Sequence, residues 1–311
     1  MLLDQATLGR LELLYNGTQE SHILRFYEHF ANSLELIEWM KRRPKGKTNI
    51  YEVEGDSDII VVIPTARVDG EFAKNCKWIF KGLHIVFVES GGKDPFFNYA
   101  RSSNIGLTYA LKYKPRWVVL SNDDMFSIDP PKVLVDGLTT LDSNKTDLVY
   151  AMPATNYHSY TVCIVRPKRV RDALYRALVE HFSVRLKLYR KFGVVFDVGP
   201  LSGLFSTLYT KIKEFRLTGS FSVFSSNYVD RMKGKVFDEV YINSVEDVDL
   251  CLRLVESSAN LATVNYKIGD YVGGTIGGFS HIRTLREIAN WAYFNYKITT
   301  GALKTANNAH L

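Results

Sequence analysis

Ile59-Ile60-Val61-Val62-Ile63 stands as an unbroken apolar run between Asp58 and Pro64-Thr65. A β-branched run of this length without alternation predicts a strand buried on both faces. The same signature returns at His84-Ile85-Val86-Phe87-Val88 and at Trp117-Val118-Val119-Leu120. A helical stretch ending near Trp78 separates the first two strands, and a helix from about Phe97 to Tyr113 leads into the third. Strand, helix, strand, helix, strand with continuous apolar strands predicts a parallel sheet wound by right-handed crossovers. Upstream, Ile23, Phe26, Phe30, Leu34 and Ile37 recur at three- and four-residue spacing, so residues 1–50 read as helical. That segment ends in the basic stretch Lys41 to Lys47.

Three strands end in polar residues: Thr65 and Arg67, then Glu89, then Asn122-Asp123-Asp124. Ligands of open parallel sheets bind outside the carboxyl ends of the strands. Adjacent carboxylates repel unless a cation or ordered donors sit beside them. The plain alternative for Asn122 to Asp124 is a turn, since Pro130-Pro131 soon follows. Three coincident polar strand ends favour a ligand site. No GxGxxG follows the first strand and no GxxxxGK[ST] occurs, which argues against a conventional dinucleotide site or phosphate loop.

A chain of 311 residues, 46% of them hydrophobic, can bury one large core or two smaller ones. No run nears the roughly 20 apolar residues of a membrane-spanning helix. The N-terminus mixes acids with its apolar residues and lacks a basic start, unlike a secretory signal. Cys76, Cys163 and Cys251 are widely spaced, which suggests neither a disulfide framework nor a CxxC metal site. The expectation is a reducing, cytoplasmic setting, and the two Asn-x-Thr sequons are accidental in that setting. The net charge of +6 matters less than its location.

The segments IIVVIPT, VFVESGGKD, NYARSSNIGLTYAL, VVLSNDDM and FDEVYINSVEDVDLCLRL follow one another between Ile59 and Leu254. In this order the chain resembles the family 2 glycosyltransferases of the GT-A fold, and its N-D-D and EDxD motifs are rhamnosyltransferase-like. The match is weak in the middle, where residues between about Tyr157 and Arg216 fit no family pattern. The resemblance implies that Glu89 contacts the nucleotide base, and that Asn104 and Gly106 lie near the sugar-nucleotide. It further implies that the metal-binding DxD falls on Asn122, Asp123 and Asp124, and that Asp247 is the catalytic base. Two departures stand out: Asn122 replaces the first Asp of DxD, and Glu89 replaces the usual Asp.

The chemistry of the residues agrees. A hard Mg²⁺ or Mn²⁺ ion takes carboxylate and phosphate oxygens together with few protein ligands. Asp124 is the direct carboxylate of this reading, with Asn122 on ribose or a metal-bound water and Asp123 turned away to brace the loop. Thr65, Arg67 and Arg101 complete the donor-side set. Ser244-Val245-Glu246-Asp247 also reads as a plain helix start, with Ser244 as cap and acids in the first turn. In the functional alternative Asp247 takes the proton of an attacking acceptor hydroxyl and Glu246 holds acceptor hydroxyls. Asp249 and Arg253, four apart, read as a helix pair.

The glycine-rich stretch before His281 suits a closing loop that brings a ligand to the metal, or equally a turn with a surface histidine. Arg166 to Lys191 is strongly basic with an apolar face at Val170, Leu174, Leu178 and Phe182. It reads either as a solvated helix or as a surface for anionic lipid or a lipid-linked acceptor. No nucleic-acid module accompanies this charge, so nucleic acid is not expected as a partner.

The expected fold class is α/β: a GT-A, Rossmann-like, mostly parallel central sheet flanked by helices, with helical N-terminal and C-terminal extensions. The expected division is a helical extension at 1–50, a GT-A domain at 51–285 and a helical tail at 286–311. Within the domain, 51–150 is the nucleotide-sugar half and 151–285 the acceptor half, which carries the basic insertion at about 166–191. The expected activity is transfer of a sugar from a nucleotide-sugar donor to an acceptor hydroxyl (of a glycan, a lipid-linked molecule or a protein) with inversion. Peripheral membrane contact goes with the basic segment. The alternatives are a sugar-phosphate nucleotidyltransferase, for which Ile63 to Gly70 is poor in glycine, and a degenerate GT-A module that only binds nucleotide or glycan.

Overall fold

The computed structural model describes residues 4–15, 17, 19–91, 94–153, 160–167, 187–188, 191–193, 209–217, 219–271 and 281–302. Three helices open the chain: α1 (Gln5–Tyr15), α2 (Glu20–Glu28) and α3 (Ser33–Arg42). The alternating part follows as β1 (Asn49–Val53), β2 (Asp56–Thr65), α4 (Glu71–Ile79), β3 (Leu83–Glu89), α5 (Tyr99–Ala110) and β4 (Trp117–Ser121). Then come β5 (Met125–Ser127), α6 (Pro131–Thr139), β6 (Leu148–Pro153), β7 (Tyr160–Pro167) and β8 (Tyr209–Leu217). The chain continues with β9 (Phe221–Ser225), α7 (Ser226–Arg231), α8 (Glu246–Glu256), β10 (Leu261–Asp270) and α9 (His281–Thr300).

Eight strands form a mixed sheet in the order β1-β3-β2-β4-β9-β6-β10-β5. β2 runs parallel to both β3 and β4, and β6 runs parallel to β10. The antiparallel β9 sits between β4 and β6, so those two strands share one direction. Sequence patterning misses this insertion because an interior antiparallel strand is as apolar as a parallel one. β1 and β5 close the two edges antiparallel to β3 and β10. The helix-flanked sheet is therefore mixed: β2, β3, β4, β6 and β10 share one direction, and β1, β5 and β9 oppose it.

The inner strands β2, β3 and β4 bury both faces because helices cover both. Ile59, Val61 and Ile63 pack with Ala73, Cys76 and Ile79 of α4. Ile60 and Val62 face the other way, onto Ala100, Leu107 and Ala110 of α5. Gly106 makes the α5 contact possible: a Cβ there would lie 2.3 Å from Val62 Cγ1 and 2.8 Å from Val88 Cγ2.

A third core joins the two ends of the chain. Phe26, Trp39, Leu252, Ile288 and Ala292 share it, so the opening helices, α8 and α9 form one layer. Tyr27 fastens that layer, donating its hydroxyl proton to Leu285 O (2.6 Å) and accepting from Ala289 N–H (3.1 Å). Among the described residues no helix is long and apolar enough to cross a membrane.

The basic segment falls largely on residues 168–186, which lie outside the described residues, as do 272–280 of the glycine-rich stretch and the side chain of His281. Arg166 belongs to strand β7, paired with β8, rather than to a helix. Lys191 Nζ donates to Tyr27 O (3.1 Å), and Phe192 is buried in the helical layer.

Candidate active site

The three polar strand ends lie side by side. Thr65 stands opposite Glu89 in the β2–β3 register, and β4, which carries Asn122 to Asp124 beyond its end, flanks β2 on the other side. Thr65 Oγ1 donates to Asp123 Oδ2 (2.7 Å), and both side chains are buried. Cys76 Sγ donates to the Asp123 carbonyl at 3.3 Å. Glu89 accepts from Val68 N–H (2.7 Å), which holds the turn after β2. Arg67 is exposed and paired with Asp69 (2.9 Å).

Asp124 is buried, and its carbonyl accepts from Tyr271 N–H (2.8 Å) at the end of β10. Asn122 N–H donates to Ser220 O (2.8 Å), while Asn122 Oδ1 is buried without a hydrogen-bond partner. The neighbouring Gly219 lies against Asp247. One short turn, Gly219-Ser220, therefore touches both the N-D-D end and Asp247.

Asp247 occupies the first turn of α8, where Oδ1 accepts from Val248 N–H (2.8 Å). Burial pushes its carboxyl above the usual range, while that N–H and the Arg283 guanidinium pull the other way. Glu246, also buried, is pushed up to about 8 by burial and by the charge of Asp247. Its Oε2 has no hydrogen-bond partner. Glu287 of α9 is a third raised carboxyl in the group, raised by burial against its ion pair with Arg283 (3.0 Å). Tyr99 lies at the start of α5, its hydroxyl buried without a hydrogen-bond partner. Burial raises its hydroxyl first, and the charges of Glu246, Asp247 and Asp124 raise it further, against the influence of Ser103.

The backbone before α8 is unusual. Val245 has φ +73° and Asn243 φ +51°, and a β-branched residue in that region is strained. Asn243 is held by donating to Phe97 O (3.2 Å) and accepting from Tyr99 N–H (2.8 Å). Val245, not Ser244, is the residue that precedes α8, its carbonyl accepting from Asp249 N–H (2.9 Å). Further along, Asp249 grips Arg253 Nε (2.8 Å) and Lys297 Nζ (2.6 Å), so the helix pair extends to α9.

Two residues expected on the donor side make contacts within the scaffold. Asn104 donates to Phe237 O (2.9 Å) and accepts from Phe237 N–H (2.9 Å), which ties α5 to the segment before α8. Gly106 faces Val62 and Val88 of the sheet. Arg101 lies 3.7 Å from Glu239, which also binds Lys45 (3.1 Å).

Among the described residues no three His, Cys, Asp or Glu side chains gather to hold a metal. The N-D-D end still offers oxygen donors of the kind a hard cation takes, including the partnerless Asn122 Oδ1. Phosphate and water oxygens would fill the rest of such an ion's shell.

No protein-family model and no curated protein sequence matches the chain. Among solved structures, glucosyl-3-phosphoglycerate synthase from Mycobacterium tuberculosis, in complex with Mn²⁺, uridine diphosphate and glucosyl-3-phosphoglycerate, aligns at 13% identity and a TM-score of 0.36. The alignment covers 78% of this chain and 80% of that one. A mycobacterial protein aligns at 14% identity and a TM-score of 0.36, covering 78% of this chain and 74% of that one. Likeness at this level assigns no activity.

Sequence reasoning missed Gly219, Ser220, Asp270, Arg283 and Glu287. Asp270 had a usable signal, since it too is a polar residue ending a strand. The others reach the site only through the folding of β9 beside β4 and of α9 against α8.

Proposed function

We propose that the chain is a divalent-metal-dependent glycosyltransferase that uses a nucleotide-sugar donor and inverts the sugar's C1. The observation that carries this reading is the meeting, through Gly219-Ser220, of the Asn122–Asp124 strand end with Asp247. A nucleoside diphosphate binds at the carboxyl edge of β2, β3 and β4, with Glu89 on the base side. Asp124 and Asn122 hold the cation, which supplies Lewis-acid stabilisation to the departing diphosphate.

Asp247 accepts the acceptor hydroxyl's proton as that oxygen bonds to C1 and the C1–O bond to the diphosphate breaks. The bonding electron pair leaves with the nucleoside diphosphate. A carboxylate whose proton affinity is raised by burial is a stronger base for this transfer than one in water. Glu246, neutral at pH 7 when pushed up to about 8, can donate a hydrogen bond to the acceptor without adding a second full charge beside the base.

The deciding experiment incubates the protein with a panel of nucleoside diphosphate sugars in Mn²⁺, Mg²⁺ or EDTA and measures diphosphate release. Metal-dependent release that Asp124→Asn abolishes is the expected result. Pyrophosphate formation from a sugar phosphate and a nucleoside triphosphate would favour a nucleotidyltransferase. Nucleotide binding with no turnover would reduce the chain to a binding module.

A further inference from the structure

Asp270 ends β10 and stands opposite Met125 of β5, one residue from Asp124. The next residue, Tyr271, donates its N–H to the Asp124 carbonyl at 2.8 Å. Ser220 ties Asp270 to the N-D-D end: its hydroxyl donates to Asp270 Oδ2 (2.7 Å), and its carbonyl accepts from Asn122 N–H (2.8 Å). Both residues that this serine joins keep a buried side-chain oxygen with no hydrogen-bond partner, Asn122 Oδ1 and Asp270 Oδ1. An amide oxygen and an ionised carboxylate oxygen are both acceptors, so neither can satisfy the other. Buried polar atoms are normally paired, and two unpaired acceptors on residues joined through Ser220, one of them opposite the neighbour of the buried Asp124, call for a shared positive or donating group.

We infer that Asp270 is a protein ligand of the divalent cation, joining Asn122 Oδ1 and Asp124 from β10, the strand beside the edge strand β5. This inference rests on the metal-dependent reading proposed above and adds a residue to it. Three oxygen donors on two chain segments leave the remaining octahedral positions to diphosphate and water oxygens. Two full carboxylates offset the cation's charge, which answers the question raised by Asn122 in place of an acid: Asp270 supplies the second negative charge. Ser220 fixes which Asp270 oxygen is left for the ion and so acts as a positioning residue.

Mn²⁺ binding, read from the loss of the free-ion electron paramagnetic resonance signal without nucleotide or acceptor, tests this apart from turnover. Asp270→Asn keeps size and an acceptor for Ser220, and the inference expects its Mn²⁺ affinity to fall at least about tenfold. Ser220→Ala leaves every carboxylate in place and is expected to weaken Mn²⁺ several-fold, so it carries the test if Asp270→Asn does not fold. Wild-type Mn²⁺ affinity in both variants, with binding lost in Asp124→Asn, overturns Asp270 as a ligand and leaves the metal-dependent reading intact. Weakened nucleotide binding in EDTA with unchanged Mn²⁺ affinity also overturns it, by making Asp270 a partner of a donor hydroxyl. Absence of Mn²⁺ binding by the wild type overturns the inference, and the donor-panel assay then judges the wider reading by itself.

Discussion

Gly219 lies so close to Asp247 that a Cβ on it would sit 2.4 Å from Asp247 Oδ2. The only side chain that leaves the carboxylate where it is at this position is hydrogen. Gly219→Ala must therefore push Asp247 aside. Misplacing a catalytic group by about 1 Å can cost on the order of 10²-fold in rate. Sugar transfer is expected to fall by about that factor while nucleotide affinity stays near wild type, and steady-state kinetics beside nucleotide titration will read both.

Asp247→Asn keeps the acceptor for Val248 N–H and removes only the ability to take a proton. Transfer should drop by at least roughly 10²-fold, the usual scale for losing a general base. The melting temperature at neutral pH should hold or rise, because a carboxyl destabilised by burial has gone. Activity within a few-fold of wild type would remove Asp247 from the role of base.

Glu246 makes stability depend on pH in a defined direction. Its folded pKa of about 8 lies above the ordinary carboxyl value, so the folded state holds the proton more tightly than the unfolded chain. That contribution is full below the unfolded pKa of about 4.3 and is lost as pH rises towards 8. Denaturant midpoints should accordingly fall between pH 5 and 8 in the wild type, and Glu246→Gln should flatten the slope and be the more stable protein at pH 8. A wild-type slope retained in the variant would assign the effect to another group.

Thr65→Val deletes the hydroxyl that donates to the buried Asp123 carboxylate at 2.7 Å while preserving shape. Loss of a hydrogen bond to a buried charge should cost about 1.5–3 kcal/mol in equilibrium unfolding. A cost below about 0.5 kcal/mol, the size of an ordinary surface change, would mean that Asp123 is held by its other contacts.

Gly106→Ala separates a packing role from a donor-binding one. Its added methyl meets Val62 and Val88, and overpacking of this kind typically costs about 1–3 kcal/mol. Nucleotide affinity measured well below the melting temperature should be unchanged. A selective loss of nucleotide binding at full stability would instead assign Gly106 to the donor site.

Much of this protein was legible from residue order alone, and for local reasons. The runs Ile59–Ile63, His84–Val88 and Trp117–Leu120 are too uniformly apolar to face water on either side, so their two-sided burial follows from composition. Their polar ends, Thr65, Glu89 and Asn122 to Asp124, come together because right-handed crossovers leave successive parallel strands ending at one edge. The Asp249–Arg253 pair follows from helical spacing. What the tertiary structure alone decided depends on contacts between residues distant in the chain. β9 enters antiparallel beside β4, and only that pairing carries Gly219 to Asp247 and Ser220 to Asn122 and Asp270. Ser244 was free to cap α8 on local grounds, but the helix starts one residue later, after Val245 at φ +73°. Asn104 and Gly106 read as ligand contacts from their motif, yet the packing of α5 on the sheet and on Phe237 uses both. Local pattern specifies which face of an element is apolar; which distant polar atoms then meet is set by how those faces stack.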